Sequence, residues 1–172
     1  MAGDPSGEKT IGDLKKGEQQ ESLDEWFELF SGLPLQHSER ESRLIHFCER
    51  HKMNILSAMP WVASELAEHC GFACLFNLIH LHGGRKIYLP KEVTRFCQIY
   101  NLTISAHSYQ KLYKKIDSSG YLDTPSTWGV FIAIRRAAMQ VAMKEEISPK
   151  LLTQTFGITM RSIRLIKSRS AC

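Results

Sequence analysis

The sequence predicts a mainly α-helical fold: an N-terminal helical dimerisation region carrying one short β-strand, followed by a C-terminal helix-turn-helix. Three observations predict it. Apolar residues recur at helical spacing through most of 22–82 and 126–168. One run of strand formers, 85–89, interrupts them after Gly83 and Gly84. Gly157 then separates two short segments that each begin with a helix-capping residue.

The 172 residues are 43% hydrophobic and 23% charged, enough apolar material to bury a core. Five cysteines without regular spacing, and a polar N-terminal stretch with no apolar leader, predict a reduced, cytoplasmic location without disulfides. The longest apolar run, 71–81, contains Asn77 and His80 and is too short for a bilayer, so no membrane segment is expected. The net charge of +4 is unevenly spread: residues 1–60 hold eleven acidic and seven basic side chains, 61–125 five and seven, and 126–172 two and eight. A basic C-terminal end favours a polyanionic partner, because contact with phosphates releases counterions; a solvated basic face is the plainer reading.

Residues 1–20, rich in Gly, Lys, Glu and Gln, read as a disordered tail. Ser22 with Glu25 has capping-box spacing, and Trp26, Leu29 and Phe30 share one face before Gly32 and Pro34 end the helix. This acidic, aromatic helix either packs on its own core or recruits a partner. The second use defines an alternative function, a non-DNA protein-interaction adaptor working through 22–31. A second helix is expected from Ser38, with Leu44, Ile45 and Cys48 along one side. A third and longest helix runs from Pro60 past Leu66, Cys70 and Leu81 until Gly83 and Gly84 stop it.

Arg85, Lys86, Ile87, Tyr88 and Leu89 then alternate polar and apolar side chains up to Pro90. One strand cannot satisfy its own backbone groups. With no second strand obvious nearby, the expected partner is the same strand of a second copy, paired antiparallel across a two-fold axis; an extended linker is the other reading. The expected domains are therefore a dimerisation region over 21–90, an inserted helical unit over 91–125, and a linking helix plus helix-turn-helix over 126–172.

The insert echoes the C-terminal segment. Phe96, Tyr100 and Leu102 match Leu152, Phe156 and Ile158 at an offset of 56 positions, and Asn101 stands for Gly157, but His107 falls where Ile163 stands. One reading makes the insert a helical hairpin on the dimer core. The other makes Lys111, Lys114 and Lys115 a basic helix that turns through "DSSGYL" into a wing or short hairpin on phosphate. The linking helix begins at Ser126, with Val130, Ile134, Ala137 or Ala138, and Val141 as its buried stripe.

In "SPKLLTQTFGITMRSIRLIKSR", Ser148 caps a first helix with Pro149 in its first turn, and Thr159 caps a second. Leu152, Phe156, Ile158, Ile163 and Ile166 are spaced to be buried between two short helices crossing steeply, with Gly157 suited to a turn that needs positive φ. Thr153 occupies the position, four before the glycine, where a small residue is usual. The second helix exposes Met160, Arg161, Arg164, Leu165, Lys167 and Ser168, and no acidic residue follows Glu146. Such a surface fits a major groove: Arg161 and Arg164 are expected to reach guanine edges, with Thr159, Ser162, Lys167, Ser168 and Arg169 completing the DNA-binding set, largely on the backbone. A cationic helical hairpin facing solvent is the competing reading.

"ELAEHCGFACLFNLIHLHGGRKIYLPK" and the later "ISPKLLTQTFGITMRSIRLIK" together resemble the Mor family of DNA-binding transcription activators, named for the middle-operon regulator of Mu-like transposable phages. The resemblance covers about 61–91 and 146–168. It implies an intertwined homodimer, a strand paired with its mate, helix-turn-helix domains in adjacent major grooves of double-stranded DNA, and an activator that contacts RNA polymerase. It also implies that Gly83, Gly84, Arg85, Lys86, Tyr88 and Pro90 shape a strand and linker near the DNA, and that Arg161, Arg164 and Lys167 lie in the recognition helix. The segment after Pro90 is longer than that family's pattern, which leaves the spacing from strand to reading head open.

Catalysis and metal binding have weaker sequence support. Cys48 with His51, and His69, Cys70, Cys74 and His80, lack paired short-spaced knuckles and fall mostly on apolar helical faces. No glycine-rich elbow, phosphate loop or acidic cluster accompanies them, so neither an enzyme nor a cofactor is expected.

Overall fold

The computed structural model describes the backbone of residues 24–170 and the side chains through Ser168. The predicted tail 1–20 and the Ser22 cap lie outside the described residues. The described chain is mainly helical: α1 (24–30), α2 (Glu39–Arg50), α3 (Lys52–Ala58), α4 (Trp61–Cys70), α5 (Phe72–His82), β1 (Lys86–Tyr88), α6 (Val93–Tyr100), α7 (Ala106–Tyr113), β2 (Tyr121–Asp123), α8 (Thr127–Lys144), α9 (Pro149–Phe156) and α10 (Met160–Ser170). These sort into two compact units. Leu33–Glu146 form one, and the flanking segments, α1 together with α9 and α10, form the other.

Capping residues start helices where the sequence places them. Ser38 accepts a hydrogen bond from the Glu41 N–H at 3.1 Å, and Ser126 accepts one from the Gly129 N–H at 3.1 Å. Two expected helices are each broken in two. The second gives α2 and α3, divided at His51. The third gives α4 and α5, because Gly71 takes φ 87° and ψ 163°, a backbone conformation reserved for glycine. No atom lies within 4 Å of where a Cβ on Gly71 would sit, so backbone freedom alone requires glycine there.

The strand finds its partner within the same chain. β1 and β2 pair antiparallel with Ile87 opposite Leu122 and Tyr88 opposite Tyr121, correcting the expected pairing with a second copy. Bonds from Gly84 N–H to Thr124 O and from Leu89 N–H to Gly120 O extend the ladder at both ends. β2 is only three residues long, yet the turn before it is well defined. The Asp117 carboxylate accepts the Ser119 N–H at 2.9 Å, and Gly120 has φ 73°. Ile87 and Leu122 point into the core while Lys86, Tyr88, Tyr121 and Asp123 face out, the alternation that a two-sided ribbon demands.

The larger unit is built around α8. Val130, Phe131, Ile134, Ala137, Ala138 and Ala142 are buried on it, and the alanines let α3 and α5 approach closely. Thr127 donates its hydroxyl to the Ile79 carbonyl at 3.0 Å, fastening the start of α8 to the end of α5. Glu41, buried at the start of α2, accepts the His37 N–H at 2.6 Å and bonds the His80 ring on α5. Tyr100 and Tyr109 donate their hydroxyls to the carbonyls of Tyr88 and Pro90, and burial pushes both phenols up, which keeps them protonated as donors. No helix among the described residues is long and apolar enough to cross a membrane.

A Cβ on Gly83 would stand 2.3 Å from the Ile79 carbonyl oxygen and 3.2 Å from the Thr127 nitrogen, both backbone atoms. Gly83→Ala is therefore expected to lower the urea unfolding free energy by about 2–3 kcal/mol. Glu41→Ala, which leaves the His37 N–H and the His80 ring without their buried acceptor, is expected to cost about 2–3 kcal/mol in thermal melts at neutral pH.

Candidate nucleic-acid interface

In the smaller unit, the Ser148 hydroxyl accepts the Leu151 N–H at 3.3 Å, Pro149 occupies the first turn of α9, and Gly157 ends it at φ 57° in the left-handed region. The Thr159 hydroxyl accepts the Ser162 N–H at 3.2 Å and so starts α10. Leu152, Phe156 and Ile163 are buried, while Ile158 and Ile166 are half-buried. Thr153 is half-buried and returns its hydroxyl to the Lys150 carbonyl at 2.7 Å, which accommodates the larger residue.

Two short helices bury few side chains, and α1 supplies the rest. The Trp26 ring meets Phe156 edge-on at 6.4 Å, and Phe30 lies 5.6 Å from it. Trp26, Leu29 and Phe30 are all buried. Their face was legible in the sequence; that it would be buried together with Phe156 was not. Phe27, on the other side of α1, is 56% exposed.

Arg161, Arg164, Leu165, Lys167 and Ser168 are exposed on α10, as is Met160 at its start. Ser162 is half-buried and tied to Thr159, both through its N–H and through a 3.1 Å contact between the two hydroxyls. The Ser168 hydroxyl donates to the Leu165 carbonyl at 2.9 Å, leaving its lone pairs outward. Arg169 lies on α10 with its side chain outside the described residues. The arrangement gathers Arg161, Arg164 and Lys167 on one short, acid-free helix whose first turn offers backbone N–H groups, a surface suited to phosphate and to guanine acceptors.

The other six expected residues lie in the larger unit. Gly83 ends α5 with its N–H on the Ile79 carbonyl, Gly84 closes the ladder on Thr124, Arg85, Lys86 and Tyr88 are exposed along it, and Pro90 is buried with its carbonyl held by Tyr109. They form one group around β1, and the α10 residues form another. The cysteines and histidines disperse. His51 lies against Phe47, His69 pairs with Glu65 at 3.3 Å, His80 bonds Glu41, and the Cys70 thiol donates to the Leu66 carbonyl at 2.8 Å. Among the described residues no group of three or more His, Cys, Asp or Glu side chains is placed to hold a metal ion. Comparison of the chain with protein-family models, with curated proteins and with solved structures finds no match.

If α1 completes the core of α9 and α10, Trp26→Ala should cost about 3 kcal/mol and strip hydrogen-exchange protection from the amides of α9 and α10. Phe27→Ala, on the exposed side, should change stability by less than about 0.5 kcal/mol.

Proposed function

We propose that the protein is a sequence-specific DNA-binding transcription regulator that reads duplex DNA with α10. The observation that carries this reading is the α9–Gly157–α10 pair. Its turn is left-handed, its apolar positions are turned inward, and its outward face presents Arg161, Arg164 and Lys167. Arg161 and Arg164 face the base edges; Lys167, Ser168 and the Thr159 end of the helix meet phosphates.

Binding as a dimer on a two-fold site, and activation through contact with RNA polymerase, rest on the resemblance of 61–91 and 146–168 to the Mor family. The strand no longer argues for the dimer, because β2 satisfies it within the chain. An adaptor working through 22–31 needs the apolar face of that helix free, whereas Trp26, Leu29 and Phe30 are buried.

The test is selection of genomic fragments by the full-length protein at two salt concentrations, with Arg161→Ala/Arg164→Ala alongside. The expected result is a two-fold-related motif, lost with a drop in affinity of roughly 10- to 100-fold in the double variant. Retention without a motif, unchanged by the substitutions, would overturn the reading.

A further inference from the structure

The echo between the insert and the C-terminal segment extends to burial, turn conformation and helix caps. Phe96 and Tyr100 are buried on α6 as Leu152 and Phe156 are on α9, and Asn101 ends α6 at φ 51° as Gly157 ends α9 at φ 57°. The second helices align at an offset of 54, not 56, because the turn 101–105 is two residues longer than 157–159. Ser105 then matches Thr159, each starting its helix by accepting the N–H three residues on. Tyr109 takes the place of Ile163, both buried, and His107 falls on the surface opposite Arg161. The mismatch at His107 is a shift of register, not a break in the pattern.

At the same offset, Arg161, Arg164, Leu165 and Ser168 correspond to His107, Gln110, Lys111 and Lys114, and all eight side chains are exposed. α7 is held rigidly behind that face. The ladder of β1 with β2 pins the chain before α6 to the chain after α7, the Phe96 and Tyr109 rings lie 4.7 Å apart, and α7 packs on α4. Residues 85–117 carry seven basic and two acidic side chains. Lys115 is engaged by Glu65, whereas Lys111 and Lys114 have no ion-pair partner among the described residues.

We infer that α7 is a second DNA-contacting helix, placing Lys111 and Lys114 on phosphates of duplex DNA with Gln110 and His107 turned to the groove. This rests on the DNA-binding reading of α10 and extends it: each chain carries two contact helices of the same build. Lys111 and Lys114, three residues apart on one exposed helix face, can each meet a phosphate, and Gln110 beside them can pair with an adenine edge.

The experiment is a salt titration of full-length protein on its selected DNA fragment, comparing wild type, Lys111→Ala/Lys114→Ala and Arg161→Ala/Arg164→Ala. Both lysines are exposed, so melting temperature and far-ultraviolet circular dichroism should be unchanged in the lysine variant. The expected result is a slope of log affinity against log salt shallower by about 2 in the lysine variant, one counterion per lost phosphate contact, with affinity down roughly tenfold and the selected motif retained. A lysine variant with wild-type slope and affinity, beside an arginine variant that loses the motif, would overturn the role of α7 and leave that of α10 standing. Absence of DNA binding by the wild type would overturn both.

Discussion

The meeting of Trp26 and Phe30 with Phe156 is the contact on which the smaller unit depends. α9 and α10 are short, and on their own they bury chiefly Leu152, Phe156 and Ile163. Three side chains cannot offset the backbone entropy of ordering two helices and a turn. The rings of α1 add the missing apolar area, but in sequence they precede Leu33–Glu146 while α9 and α10 follow it, so the contact that completes the unit is long-range in sequence. The exposed face of α10 is only as well held as that remote aromatic cluster.

The larger unit is tied together in a different way. Here the closing element is polar: a three-residue ladder, two tyrosine hydroxyls on the carbonyls of Tyr88 and Pro90, and the Glu41 carboxylate between α2 and α5. Each of these fixes a backbone position more tightly than apolar packing alone would. Around them sits an apolar core centred on α8 whose alanines set helix separations. Packing supplies most of the stability, and the hydrogen bonds determine where the chain may turn.

What the sequence revealed was what local chemistry decides. Ser38, Ser126, Ser148 and Thr159 start helices because a capping side chain acts on an N–H two or three residues away. Gly157 was readable for the same reason, since its conformation is a property of one residue. Gly71 was not: inside an apolar run a lone glycine reads as a tolerated helix residue, and only the packing of α4 on α5 makes it a corner. The turn at "DSSGYL" was legible as one reading, a wing or short hairpin, but the pairing of β2 with β1 was not, because three residues give no period and the strand character comes from the ladder itself. The basic residues of α10 and of α7 were both visible as runs, while the two-residue difference in turn length hid the shared cap and buried position of the two helices until the buried Tyr109 fixed the register. The assignment of α1 to the unit of α9 and α10 had no local signal at all.

The discontinuous build of the smaller unit has a consequence for synthesis. On the ribosome, Trp26 and Phe30 emerge well over a hundred residues ahead of Phe156 and stay without it until α9 leaves the exit tunnel. A chain cut short between Glu146 and α10 therefore contains the whole of the larger unit and only part of the smaller one. Translation itself becomes a checkpoint, in which the acidic helix waits for the basic one and an incomplete product cannot present the surface of α10.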